Sequence, residues 1–160
     1  MIEDAPTLLA VDLGLRTGLA LYRPDGRLQR YCSHHYGTPA QLRRATYHLL
    51  AEPANLAWLV LEGGGPLAHI WQRQARRAGI SVMIASAEDW RAALLYPRSQ
   101  RSGRRAKHSA AQLARRVIAW SGAAAPTALR HDAAEAILVG LWAVVQVGWL
   151  EELPAELRRI

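Results

Sequence analysis

Two short apolar runs, Leu8–Asp12 (LLAVD) and Ala57–Glu62 (AWLVLE), each end on a carboxylate. An apolar run of this length without polar alternation fits a strand buried on both faces of a sheet, and such a strand needs helices on either side. A charge at the end of a buried strand is costly unless it faces a cleft or binds something. In open α/β sheets, sites form at the carboxyl ends of the strands. If these two strands are parallel neighbours, Asp12 and Glu62 stand side by side.

The remaining segments supply the helices and the rest of the sheet. Thr17–Tyr22 (TGLALY) is a second apolar run, joined to the first through a turn between Gly14 and Gly18. Pro24-Asp25-Gly26 is a turn, and Leu28–Ser33 follows as a third strand. The opening therefore predicts an antiparallel three-strand meander. Thr38 caps a helix over Pro39–Leu50, with proline at its start. After Glu62 come Gly63, Gly64, Gly65 and Pro66, then a helix over Leu67–Ala78 stopped by Gly79. Ile80–Ala85 reads as a further strand, and Ser86 caps a helix over Ala87–Leu95. Arg98–His108 (RSQRSGRRAKH) reads as a polar loop, Ser109–Trp120 as a helix closed by Gly122, and His131–Val147 as the last long helix. Glu151–Ile160 reads as a short terminal turn or tail. The expectation is an α/β fold, a five-stranded mixed sheet flanked by helices, in one domain over residues 1–160.

Composition narrows the function. The 160 residues carry a formal net charge of +7, which favours polyanionic partners, nucleic acid first. All but one of the 20 Lys and Arg residues are arginine and there is no Phe, a codon-bias pattern that weakens charge as an argument by itself. Its distribution says more. No acid occurs between Asp89 and Asp132, a gap holding Arg91, Arg98, Arg101, Arg104, Arg105, Lys107, Arg115, Arg116 and Arg130. Cys32 is alone, so neither a disulfide framework nor a cysteine zinc site is expected, and the expected location is cytoplasmic. The opening residues lack a basic n-region, and Ala136–Leu150 is too short to span a bilayer comfortably, so no membrane is expected.

Two more acids, Asp132 and Glu135, open the last helix in HDAAEAILVG. Their i, i+3 spacing puts them on one face, and Ala133, Ala134 and Ala136 would let that helix end approach the sheet closely. Each acid alone has an ordinary explanation: helix-dipole preference for Asp132 and Glu135, an Asx turn for Asp12, a solvated strand end for Glu62. Converging, they would repel one another unless a divalent cation offsets the charge. Oxygen donors without sulfur favour Mg²⁺ or Mn²⁺, and two ions roughly 4 Å apart suit phosphodiester hydrolysis. His131 is a lesser candidate, as ligand, proton shuttle or cap. Adjacent helix positions diverge by about 100°, so His131 and Asp132 do not both point straight into one site.

Together LLAVDLGLRTGLALY, AWLVLEG and HDAAEAILVG resemble the RuvC-like Holliday junction resolvases of the RNase H-like superfamily. The resemblance covers about residues 7–148. It matches Asp12, Gly14 and Gly18 to the family's first-strand turn, Glu62 to its fourth-strand acid, and Asp132 and Glu135 to its last-helix motif. It implies an RNase H-like fold, catalytic and metal-ligating roles for Asp12, Glu62, Asp132 and Glu135, and two Mg²⁺ or Mn²⁺ ions. It further implies a homodimer that binds branched or four-way DNA and nicks one strand per protomer. Arg98, Arg101, Arg104, Arg105 and Lys107 match the stretch that contacts DNA phosphates. Three departures stand out, the first a turn after Asp12 one residue shorter than in the bacterial housekeeping enzyme. The last acid is Glu135 where Asp is usual, and glycine follows Glu62 where the housekeeping enzyme carries a wedging aromatic. Trp71 is the candidate replacement, and Pro39–Leu50 and the Trp71 segment are candidate dimer surfaces. A YqgF-like nuclease acting on structured RNA and a non-catalytic nucleic-acid-binding module of the same fold are the alternatives. A sugar-kinase-like reading of DLGLRTG requires two such subdomains, more than 160 residues accommodate.

Overall fold

The computed structural model describes residues 4–158. Its strands are β1 (Thr7–Asp12), β2 (Arg16–Tyr22), β3 (Leu28–His35), β4 (Leu56–Glu62) and β5 (Ser81–Ala85). Its helices are α1 (Pro39–Ala51), α2 (Pro66–Arg77), α3 (Ala87–Leu94), α4 (Gly103–Ser121) and α5 (His131–Gln146), with 3-10 turns at Pro97–Gln100 and Ala155–Leu157. The five strands form one sheet in the order β3-β2-β1-β4-β5. β1, β2 and β3 are the expected antiparallel meander, and β4 and β5 join parallel to β1. Among the described residues no helix is long and apolar enough to cross a membrane. Arg159 and Ile160, part of the expected tail, lie outside the described residues.

Alternation along the central strands divides the core into two layers. Leu8, Ala10, Ala20, Tyr22 and Val60 face a layer completed by Leu94, Leu113, Val117 and the apolar body of α5. Leu9, Val11, Leu19, Leu21, Leu59 and Leu61 face the other, with Leu42 of α1 and Trp71 and Ala75 of α2. Since Asp12 and Glu62 lie two residues beyond Ala10 and Val60, they share the α5 side.

Two glycines fix how closely α5 lies on β2. A Cβ at Gly140 would stand 2.2 Å from the ring of Tyr22, whose hydroxyl donates to the Ile137 carbonyl at 2.5 Å. A Cβ at Gly18 would stand 1.9 Å from the Asp132 carbonyl oxygen. The helix therefore rests backbone-to-backbone on β2 at its first turn.

Three expectations need correction. The stretch Arg98–His108 is not a loop throughout. Pro97–Gln100 is a 3-10 turn, and α4 starts at Gly103 because the Ser102 side chain accepts from the Arg105 N–H, so Arg104, Arg105 and Lys107 are helical. The helix begins at His131 as expected, but only Asp132 of the two acids lies in its first turn, and Glu135 lies one turn in. Trp71 is wholly buried in the α2 layer and offers no aromatic surface for wedging.

Candidate active site

The parallel ladder pairs Asp12 with Glu62, and the antiparallel one pairs Asp12 with Gly18. Gly18 in turn pairs with Ser33, and Glu62 with Ala85. Ser33, Gly18, Asp12, Glu62 and Ala85 therefore form one row across all five strands at the carboxyl end of β1 and β4. The first two turns of α5 cross this row at Gly18.

Carboxylate oxygens of Asp12, Glu62 and Glu135 lie within 4.8 Å of one another. Asp132 is turned elsewhere: its Oδ2 accepts from the Ser33 hydroxyl at 2.5 Å. His131 turns a third way, its Nε2 standing 2.9 Å from Glu135 Oε1 across one helical turn. The divergence of His131 and Asp132 follows from the helical pitch. Arg91 Nη2 reaches the same Glu135 oxygen at 3.2 Å.

The electrostatics match this crowding. The Asp12 carboxyl is pushed up from 3.8 to about 8, first by burial, then by the charges of Glu135 and Glu62, a hydrogen-bonded approach to Glu62, and the charge of Asp132. Burial and the charge of Glu135 also raise Glu62, which the Trp90 indole, Asp12 and Arg91 partly counteract. Glu62 Oε2 and Trp90 Nε1 are both buried without completing a hydrogen bond. A buried carboxylate oxygen lacking a donor carries an unmet desolvation cost, and a cation is the natural partner. The three carboxylates thus fit a divalent ion with hard-oxygen preference.

Sequence reasoning missed three contributors. Arg91 was visible only as one of many arginines, and Trp90 only as a position in the helix after Ser86. Their signal was position: β5 lies beside β4, so the Ser86-capped helix that follows β5 begins near Glu62. Ser33 lies on β3 opposite Gly18, a register that only the assembled sheet reveals.

The basic stretch flanks this site on the α3 side. Arg98, Arg101, Arg104, Arg105 and Lys107 are all exposed. Arg98, Arg104, Arg105 and His108 line one hollow of about 560 Å³, while Arg101 and Lys107 lie outside it. Arg98 is stacked over Tyr96, 4.7 Å from the ring centroid. Gln100 Nε2 donates to the Arg91 and Leu95 carbonyls at 3.4 and 3.5 Å, tying the 3-10 turn to the helix that carries Arg91. A further hollow of about 740 Å³ lies at the opposite end of the sheet, beside Thr7, Arg23 and Glu52, away from the carboxylate cluster.

No protein-family profile matches the chain, and no curated protein does. Among solved structures, it is similar to the catalytic core domain of BIV integrase, at 16% identity and a TM-score of 0.36, over 85% of this chain and 82% of that one. It is also similar to a chain of the simian T-cell lymphotropic virus intasome in complex with the PP2A regulatory subunit B56 gamma, at 10% identity and a TM-score of 0.32. That alignment covers 89% of this chain and 49% of the other, so this chain spans about half its length. The class is defined by the sheet itself. An antiparallel β1–β3 meander extended by parallel β4 and β5, in the order β3-β2-β1-β4-β5 with helices on both faces, is the RNase H-like fold.

Proposed function

We propose that this chain is a divalent-metal-dependent endonuclease resembling RuvC, cleaving branched DNA such as four-way junctions. The observation that carries the reading is the meeting of Asp12, Glu62 and Glu135 within 4.8 Å. These residues would hold Mg²⁺ or Mn²⁺, which when bound acts as a Lewis acid on phosphodiester oxygens. The reading takes two ions per site, with Asp132 supporting the site from outside the cluster, where Ser33 holds it. Arg91 and His131 hold Glu135 in place through its Oε1. Arg98, Arg101, Arg104, Arg105 and Lys107 bind backbone phosphates, which positions the substrate without reading its sequence. The active species would be a homodimer in which each protomer nicks one strand. A role in DNA recombination or repair in the cytoplasm belongs to the same proposal.

The test is incubation of a labelled four-way junction with Mg²⁺, Mn²⁺ or EDTA, beside linear duplex and structured RNA. Junction cleavage with either metal and none with EDTA is expected. Preferential cleavage of the RNA transfers the reading to the YqgF-like alternative. Salt-sensitive binding with no cleavage under any metal leaves a binding module.

A further inference from the structure

The β2–β3 ladder runs past the end of β1. Asp12 pairs with Gly18, yet β2 continues two residues further to Arg16, which pairs with His35. By the two-residue period, Arg16 and His35 stand on the same face as Gly18, Ser33 and Asp12, one step beyond the carboxylate row. Both are exposed. Among the described residues neither forms an ion pair or a side-chain hydrogen bond. Arg91, on the other flank, is already engaged with Glu135.

We propose that Arg16 and His35 form a second phosphate-contacting site, so that a nucleic-acid backbone crosses the carboxylates from this pair to the hollow lined by Arg98, Arg104 and Arg105. The inference deepens the nuclease reading and rests on it. A cluster of acids repels a polyanion, and cationic groups on both flanks are what would draw the backbone across it. The α3–α4 side supplies one flank, and Arg16 with His35 supplies the other. α5 adds to the same side. Its first turn is seated on Gly18, its N-cap is the exposed Arg130, and no side chain caps its first N–H groups. Across the sheet, β3 to β5 is four strand spacings, on the order of 19 Å. At roughly 3.4 Å per nucleotide of a helical strand, that is about five to six nucleotides. The ligand is therefore a polymer backbone and not a mononucleotide.

The experiment is equilibrium binding of a labelled four-way junction and a linear duplex to the full chain in EDTA, over a salt series. The variants are R16A/H35A, R16K, R16E and, for the other flank, R104A/R105A. For R16A/H35A the expected result is about 3- to 10-fold weaker binding and a log–log salt slope shallower by about one, the charge of Arg16. R16K should stay near wild type and R16E should lose more than the alanine pair. Melting temperature and Mn²⁺ affinity should not change in R16A/H35A, which separates a phosphate contact from a structural role. Wild-type affinity and slope in R16A/H35A, beside a loss in R104A/R105A, overturns this site and leaves the nuclease reading standing. Absence of salt-dependent binding in the wild-type chain overturns both, and is seen before any substitution is made.

Discussion

Asp12 and Glu62 are held by strand register, whereas Asp132 and Glu135 are held by a helix end. The strand pair shares one rung of the parallel ladder, and nothing short of a register slip separates them. The helix pair shares a face by spacing and still divides. Glu135 enters the cluster with Arg91 and His131 on its Oε1, while Asp132 is drawn sideways to Ser33 at the sheet edge. Spacing on a helix brings side chains near a site, and the partners waiting there decide which one enters. Side-chain length contributes as well. The extra methylene of Glu135 gives it a longer reach to the cluster from one turn further along α5.

The largest effect expected from this comparison belongs to the three clustered acids. Asp12→Asn, Glu62→Gln and Glu135→Gln should each lower metal-dependent cleavage by on the order of 10³-fold or more, the scale of several kcal/mol of Lewis-acid stabilisation. Single-turnover cleavage of a four-way junction measures it, with salt-sensitive binding retained. Unchanged cleavage in Asp12→Asn sinks the site assignment.

Asp132→Asn sharpens the contrast between the helix acids. Held by Ser33 outside the cluster, it should lose about 10- to 100-fold, the usual cost of a supporting partner in a metal site. A loss equal to that of Asp12→Asn would show that Asp132 leaves Ser33 and joins the cluster when the ion is bound.

Gly18→Ala tests whether the helix pair depends on close backbone approach. The added Cβ meets the Asp132 carbonyl oxygen at 1.9 Å, and backbone cannot yield as a flexible side chain would. A loss of about 1–3 kcal/mol in urea unfolding is expected, with reduced cleavage as α5 shifts off the row. Wild-type stability and activity would mean that the seating of α5 does not position its acids.

The smallest effect is the pH dependence of the metal-free chain. Asp12 keeps its proton to about pH 8 when folded and loses it near 3.8 when unfolded. The folded state thus binds more protons between those values, so this group's contribution to stability falls as pH rises through that window. Glu62 shifts in the same direction. In EDTA the melting temperature should be lower at about pH 8.5 than at about pH 5, and Asp12→Asn should reduce the difference. Saturating Mg²⁺ should raise the melting temperature at the higher pH, because an ion bound only by the folded chain stabilises it. A melting temperature in EDTA that rises with pH in wild type but not in Asp12→Asn contradicts the direction given for that carboxyl.

Much of this was legible from residues alone. Apolar runs ending on acids announced β1 and β4, glycines and prolines marked the turns, and the i, i+3 acids marked the start of α5. Each of these signals is local: side-chain periodicity, backbone restriction, capping chemistry. Local signals also misled where a basic, glycine-punctuated stretch read as loop. Ser102 supplied the cap that the composition obscured, and α4 began several residues early. Tertiary structure alone decided what depends on distance between segments. It set Ser33 opposite Gly18 and seated α5 on β2 through Gly18 and Gly140. It also brought Arg91 and Trp90 to the carboxylates and sent Asp132 and Glu135 to different partners. The sequence determined which acids stand at the ends of its elements, because that follows from the order of residues along the chain. Which of them share a proton or hold an ion is a matter of a few ångströms between strands and a helix, set only once the sheet's register and the helix's seating are complete.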